Sequence, residues 1–253
     1  FGNLPRVQYS ESSFTDALKN MRFATEWSAA NLSLQELSQL LWAAYGYTNI
    51  KYGASYHRTT PSAMGIYPLV IIVSNANAVY KYLPDNHSLL EILHGDKRSD
   101  IARACSSHVW AATAPSIFII VYDSAYNNGN TGDGGALPHL YMEVNAGAVI
   151  QQLLLEASAW NLDANVVGKG LEEWNGKGAE EIRRILSLSS SLIPLYLVPV
   201  GARAADKIRP TIGTPSQEPD FKAVRPNQDI KVTVEAVDKT IGIREVILSY
   251  SID

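Results

Sequence analysis

The sequence predicts an α+β fold, a mostly antiparallel sheet flanked by helices, and three observations carry that expectation. Unbroken apolar runs of strand length stand at 69–73 (LVIIV), 116–122 (SIFIIVY) and 192–200 (LIPLYLVPV); runs so short, bounded by turn residues, read as buried strands. Two longer stretches, 33–46 and 142–160, repeat apolar residues at three- and four-residue spacing, the period of a helix with one buried face. Between the first two strands, residues 80–90 turn about Pro84-Asp85-Asn86 as a hairpin does, and a hairpin is antiparallel by construction.

Taken in order, residues 14–22 form the first expected helix. Ser33-Leu34-Gln35-Glu36 then fits a capping box, in which the serine hydroxyl and the glutamate carboxylate satisfy amides left free at a helix start. Leu34, Leu37, Leu40, Leu41 and Ala44 follow at helical spacing, and Gly46 stands where the helix stops. Residues 47–68 read as loop-rich, 99–110 as a helix, and 123–138 (DSAYNNGNTGDGGALP) as a long glycine-rich loop, either a lid or a disordered segment.

In the helix at 142–160, Val149, Ile150, Leu153, Leu154 and Ala157 give a wide apolar face, and Ala146, Gly147 and Ala148 let another element approach closely. Such a helix is central to a fold or lies at a subunit contact. Residues 192–200 close the unit at Gly201.

The character changes after Arg209. Pro210, Pro215, Pro219 and Pro226 punctuate a linker-like stretch. Beyond it Ile230, Val232, Val234 and Ala236 alternate with Lys231, Thr233 and Glu235, and Val246, Leu248 and Tyr250 alternate likewise, which is half-buried strand patterning. Two domains are expected, 1–209 and a β-rich tail at 210–253. The tail resembles the opening strands of an immunoglobulin-like surface module, and two or three strands do not make a stable sandwich alone. The sequence does not identify the compartment: cytoplasmic, or extracytoplasmic if the tail belongs to such a module.

Composition excludes several classes. The 253 residues are 46% hydrophobic and 18% charged, ample for a buried core. The net charge is -4 and the Lys and Arg residues are scattered, which disfavours nucleic acid as a partner. One cysteine, Cys105, excludes an intrachain disulfide and a cysteine-based metal cluster; it reads as a small buried residue, with His108 its one nearby base. An apolar run of about 18 residues, the length of a membrane span, is missing. The five histidines show no helical metal-site spacing; His57 and His139 stand nearest the candidate site in sequence.

The strongest chemical signal is Arg58-Thr59-Thr60-Pro61-Ser62-Ala63-Met64-Gly65-Ile66-Tyr67-Pro68. A planar redox ring needs an apolar wall with hydroxyl and backbone donors along its polar edge, and small residues let backbone approach it. This segment resembles the R-x-x-P-S-A-G-x-x-Y-P stretch of the nitroreductase family, in its SagB-type, azoline-oxidase-like branch. YMEVNAGAVIQQLLLEASAWNLDANVVGKG (141–170) resembles that family's long helix and the glycine-bearing loop after it, and PLYLVPVG (194–201) its last core strand.

The resemblance implies a nitroreductase-like fold, a homodimer contacting through the long helix, and flavin mononucleotide (FMN) at the subunit boundary. Hydride would pass by a ping-pong route from a reduced nicotinamide, NAD(P)H, or an organic donor to a small organic substrate. The implied cofactor-binding residues are Arg22, Arg58, Pro61, Ser62, Ala63, Gly65, Gly168, Lys169, Gly170 and Arg209, with Lys169 and either Arg203 or Arg209 reaching the phosphate.

Two departures keep a second reading open. The family's phosphate-gripping R-R-S-x-R segment aligns with Met21-Arg22-Phe23-Ala24-Thr25, so Arg22 stays while the serine and the last arginine are replaced. The Lys-Tyr pair of azoline-oxidising members has no counterpart at 123–138, which holds Tyr126 but no lysine. The alternative is a flavin-free, non-catalytic binding or scaffold domain attached to a β-sandwich module.

Overall fold

The computed structural model describes residues 2–8, 10–52, 55–62, 65–105, 108–126, 139–168 and 176–204. It gives backbone alone for 49–52, 55–56, 139–140, 211–212, 216–218, 231–233 and 236–237. The chain divides into two compact units, 1–204 and 205–253.

The first unit is built on a seven-stranded sheet. In chain order its strands are β1 (Gly2–Asn3), β4 (Leu69–Asn75), β5 (Ala78–Leu83), β6 (Ser88–His94), β7 (Ser116–Asp123), β8 (Leu162–Ala164) and β9 (Leu192–Ala202). They lie in the spatial order β1-β6-β5-β4-β7-β9-β8, and each neighbouring pair is antiparallel. A separate ribbon pairs β2 (Tyr47–Tyr52) with β3 (Ser55–Arg58). The region expected to be loop-rich therefore holds a hairpin; its polar residues, set off the main sheet, show no apolar alternation.

Five helices are present among the described residues: α1 (Phe14–Asn20), α2 (Leu34–Tyr45), α3 (Arg98–Ala104), α4 (His139–Ala159) and α5 (Lys177–Ile185). The capping box forms, with Glu36 N–H donating to Ser33 Oγ at 3.2 Å and Ser33 N–H donating to the Glu36 carboxylate at 2.6 Å. The helix expected over 99–110 is shorter: α3 ends at Ala104 and a 3-10 turn covers Val109–Thr113. α5 was not evident in the sequence.

The helices cover both faces of the sheet. Ile71, Val73, Phe118, Ile120 and Tyr122 share one core with Leu37, Leu40 and Leu41 of α2 and Met142, Val149 and Leu153 of α4. Ile72, Ile117, Ile119 and Val121 share the other with Ile101 of α3 and Ala179 and Ile182 of α5. Successive strand residues point to opposite faces, so a strand covered on both sides must be apolar throughout. That is why 116–122 reads as an unbroken run.

In the second unit, β10 (Thr211–Ile212) pairs with β13 (Ala236–Val237), and β11 (Ser216–Glu218) with β12 (Lys231–Thr233). The strand pattern expected over 230–236 is split between β12 and β13, and strands already stand in the proline-punctuated stretch. Residues 246–250 lie outside the described residues.

Candidate flavin site

α2 ends at Tyr45, and the last carbonyls of a helix need donors from elsewhere. Thr59 Oγ1 donates to Trp42 O at 2.9 Å, Thr60 Oγ1 to Ala44 O at 2.6 Å, and Arg58 Nη1 to Tyr45 O at 2.9 Å. The Arg58 guanidinium also lies 4.5 Å from the ring centre of Tyr45, 4.4 Å from Tyr47 and 5.1 Å from Tyr67. Its Nη2 donates to the Tyr47 hydroxyl at 3.1 Å, and that hydroxyl donates to Asp85 at 3.0 Å. A cation at a helix C-terminus and over ring faces is favoured on both counts. Arg58 thus anchors the entry to the Pro61–Gly65 segment, with its donors committed to the tyrosine box.

Past the anchor and exposed Pro61, Gly65 N–H donates to Ser62 O at 3.1 Å. Gly65 takes a φ of +68°, which a side chain would strain, and a β-carbon there would meet nothing within 4 Å. The Ser62 hydroxyl donates to Ile66 O and accepts from Asn145 Nδ2 at 2.8 Å. Gln152 Nε2 donates to Thr59 O at 3.3 Å. Two amide side chains of α4, seven positions apart and so on one face, therefore tether the segment.

The second expected segment starts at Gly168, after Val167 bridges to Leu197 of β9. A β-carbon on Gly168 would stand 3.0 Å from Tyr196 Cε1, so the backbone lies directly on that ring. The Tyr196 hydroxyl donates to Glu143 of α4 at 2.7 Å. Glu143 and Asn145 are two positions apart, about 200° around a helix. Within one chain, Ser62 and Tyr196 thus engage different sides of the first turns of α4.

Arg22 lies at the free edge of the sheet. Residues 22–24 pair with β8, Ala24 N–H donating to Ala164 O at 3.1 Å and Ala164 N–H to Arg22 O at 3.4 Å. This sets Arg22 Nε 3.5 Å from Asp163 Oδ2, while Arg203 Nε comes within 3.1 Å of Asp163 Oδ1 from the end of β9. Asp163 is 1% exposed, and neither of its oxygens has an aligned hydrogen bond. Burial lifts its proton affinity above the ordinary carboxylate range, against the opposing pull of Arg22 and Arg203. Arg203 Nη2 donates to Asn20 O at 2.9 Å; the other Nη groups of both arginines have no hydrogen-bond partner among the described residues. Gly201, beside them, is obligatory: a β-carbon would come within 2.4 Å of Pro115 and 2.8 Å of Trp27.

The structure therefore joins Arg22 to Arg203 through Asp163, anchors Arg58, and ties Ser62 to α4. Ala63, Lys169, Gly170 and Arg209 lie outside the described residues. Asp163, Asn145 and the Glu143–Tyr196 pair are additions that sequence reasoning missed; a lone acid inside LDA, a strand with no solvent-facing position, was the one available signal.

Cys105 is fully buried, which pushes its thiol up to about 11, and His108 Nδ1 faces the Cys105 carbonyl at 3.3 Å, so no activated thiol is formed. Among the described residues, no group of three or more His, Cys, Asp and Glu residues is placed to hold a metal, and no helix is long and apolar enough to cross a membrane.

These parts fit the cofactor that the resemblance implies. A phosphate monoester suits two arginines on one edge, Arg22 with both Nη groups and Arg203 with Nη1 lacking a hydrogen-bond partner among the described residues. A flat ring suits an exposed glycine turn with open space above it and a glycine laid against an aromatic ring.

Comparisons with known proteins place the chain among its relatives. The model of the Nitroreductase family matches residues 27–202. A candidate nitroreductase of Methanocaldococcus jannaschii is 33% identical over 206 residues, covering 79% of this chain and 95% of that protein. A crystal structure of a candidate nitroreductase from Ralstonia eutropha superposes with a TM-score of 0.65 at 24% identity, covering 81% of this chain and 90% of that one. One from Desulfovibrio desulfuricans, solved in complex with FMN, gives a TM-score of 0.54 at 18% identity, covering 79% and 94%. What the two crystal structures share with this chain is the fold.

Proposed function

The chain belongs to the nitroreductase family, and from that premise we propose that it is an FMN-dependent oxidoreductase acting as a homodimer. It would carry hydride from a reduced nicotinamide or organic donor to a small organic acceptor. The observation that carries this is the convergence of Arg22 and Arg203 on the sheet edge from which the backbone runs on to Gly168, where the Nη groups other than Arg203 Nη2 have no hydrogen-bond partner among the described residues.

FMN, when bound, supplies two-electron hydride chemistry; the protein supplies placement and electrostatics. In this proposal Arg22 and Arg203 hold the phosphate; Lys169 and Arg209 of the candidate set lie outside the described residues. Ser62, tethered by Asn145 downstream of the Arg58 anchor, and the exposed Gly65 offer hydroxyl and backbone groups to the ring. In one chain Ser62 and Tyr196, against which Gly168 lies, engage different sides of α4, so in a two-fold dimer Ser62 and Gly65 of one copy and Gly168 of the other can frame one ring.

The outer side of α4 supports that assembly. Val144 and Gly147 are exposed and Ala148 and Leu155 half-exposed, a small and apolar stripe, with exposed Gln151 among them, open to another chain. The motif at Arg58–Pro68 favours the SagB-type branch, but with no Lys-Tyr pair azoline oxidation is not part of the proposal. The activity is assigned to the 1–209 domain, and the 210–253 tail to an immunoglobulin-like module.

Titration with FMN, followed by anaerobic addition of NADH or NADPH, tests this. A bound flavin spectrum that bleaches on reduction is the expected result. One observation favours the flavin-free alternative: Phe23, 64% exposed, where the family resemblance expects a phosphate-binding serine. A colourless protein that takes up no FMN would establish that alternative.

A further inference from the structure

We infer that Asp163 is an internal counter-ion that sets the anion affinity of the Arg22–Arg203 pair, so that a phosphate-bearing ligand binds there with uptake of a proton. Calling that ligand FMN rests on the function proposed above; the response of the two arginines to an anion does not.

The geometry is that of a buried anion held behind two cations. Asp163 sits on β8, locked between β9 on one side and residues 22–24 on the other, and its carbonyl accepts from Trp27 Nε1 at 3.0 Å. It has little freedom to turn away. Each arginine meets it through Nε, at 3.5 Å and 3.1 Å, and the Arg203 contact, though close, is misaligned for a hydrogen bond. The side chains of Arg22 and Arg203 keep 36% and 22% exposure.

A buried carboxylate without hydrogen bonds is costly, and here the two positive charges offset that cost. An incoming phosphate dianion engages the same two charges from the solvent side. Two arginines then face three negative charges, one of them desolvated, and like-charge repulsion favours a proton on the buried one. From the elements packed on β8, the charges that bear on Asp163 among the described residues are Arg22 and Arg203 alone; α4 contributes none. By linkage, anion affinity gains as pH falls, until Asp163 is protonated in the free protein too. Riboflavin, lacking the phosphate, gains nothing, so Asp163 also tunes the discrimination between the two flavins.

Isothermal calorimetry on the full chain, in buffers of different ionisation heat, tests this with inorganic sulfate, inorganic phosphate, FMN and riboflavin. Sulfate stays a dianion across the working range, so proton uptake on its binding belongs to the protein. Wild type should take up a proton with sulfate and with FMN. Asp163→Asn, of nearly the same shape, should lose that uptake and bind FMN about tenfold tighter where wild-type Asp163 is ionised. The phosphate's own second ionisation, near pH 6, cancels in the difference between the two proteins.

Equal uptake in both proteins, or no gain of affinity in the variant, overturns the inference while leaving FMN binding intact. Sulfate and phosphate behaving as expected while neither flavin binds sustains the inference and overturns the flavin reading. If no anion binds, both fall. Should Asp163→Asn not fold, wild-type uptake with sulfate decides alone, since its absence removes the counter-ion role.

Discussion

His87 shows how one side chain ties stability to pH. It takes a left-handed φ of 47° at the turn between β5 and β6, and its ring is held at both nitrogens. Ser38 Oγ gives its single proton to Pro5 O at 2.8 Å, so it accepts from His87 Nε2–H at 2.8 Å; Nδ1 then accepts from the Tyr82 hydroxyl at 2.9 Å. This chain of donors requires a neutral imidazole, and burial lowers the proton affinity of His87 below its ordinary value. The unfolded chain, titrating near 6.5, therefore binds a proton that the folded chain refuses. Stability is full above that value, declines as pH falls through it, and levels off once the folded state is protonated as well. Chemical denaturation across this window should show the decline, and His87→Gln should flatten it; an equal slope in both proteins rules out His87 as the cause. Arg58 invites a simpler test. Arg58→Met keeps the stem but removes two hydrogen bonds and the ring contacts, and should lower unfolding free energy by about 2–3 kcal/mol in urea melts. Arg22 and Ser62 were legible as candidates because their neighbours along the chain carry a motif. Their partners were not: Ser62 meets Asn145 across 83 positions, and Arg22 meets Asp163 only because β8 closes on residues 22–24. Such pairings are decided by the fold, after local pattern has ceased to speak.

Among the elements, legibility followed the number of buried positions each contributes. α4 runs 21 residues with apolar groups on several sides, and the strands of the double-covered sheet are apolar throughout; both were plain in the sequence. α5 buries only Gly178, Ala179 and Ile182 of its nine residues (KGAEEIRRI), too few to establish a period. The hairpin of β2 and β3 stands apart from the main sheet and carries no alternating apolar face. The apolar groups on several sides of α4 make their own prediction, because α1, α2 and the sheet cover its inner side and leave Val144, Gly147 and Ala148 outside. Gly147 lies on the outer side, where an added β-carbon meets nothing within 4 Å. Replacing it with Glu leaves the monomer's packing untouched and removes a helix-weakening glycine, yet sets a charge in the centre of the proposed contact. Sedimentation should show the wild type as a dimer and Gly147→Glu as a monomer, with unchanged circular dichroism. A variant that stays dimeric places the contact elsewhere, for which the exposed Phe14 and Leu18 of α1 are the next surface to probe.

At the scale of the molecule, the first unit carries a continuous seven-stranded sheet with a helical layer on each face, and its last strand ends at Ala202. Every strand and helix that bears a candidate residue with described geometry lies within 1–204. A chain of residues 1–209 should then unfold as one cooperative unit with the midpoint that this domain has in the full protein. Ligand linkage gives the comparison its second arm. FMN held at about a hundredfold over its dissociation constant stabilises the folded state by about 2.7 kcal/mol, which for a domain of this size raises the midpoint by several degrees. The increment depends on the site and not on the tail, so calorimetric scans of both chains, with and without FMN, should give matching midpoints and matching increments. A lower midpoint with the same increment in the shorter chain assigns the 210–253 segment a share of the domain's stability. A lost increment with an unchanged midpoint assigns that segment a part in binding the flavin. The two results separate because stability is summed over both cores, whereas the phosphate reads only the sheet edge where Arg22, Asp163 and Arg203 meet.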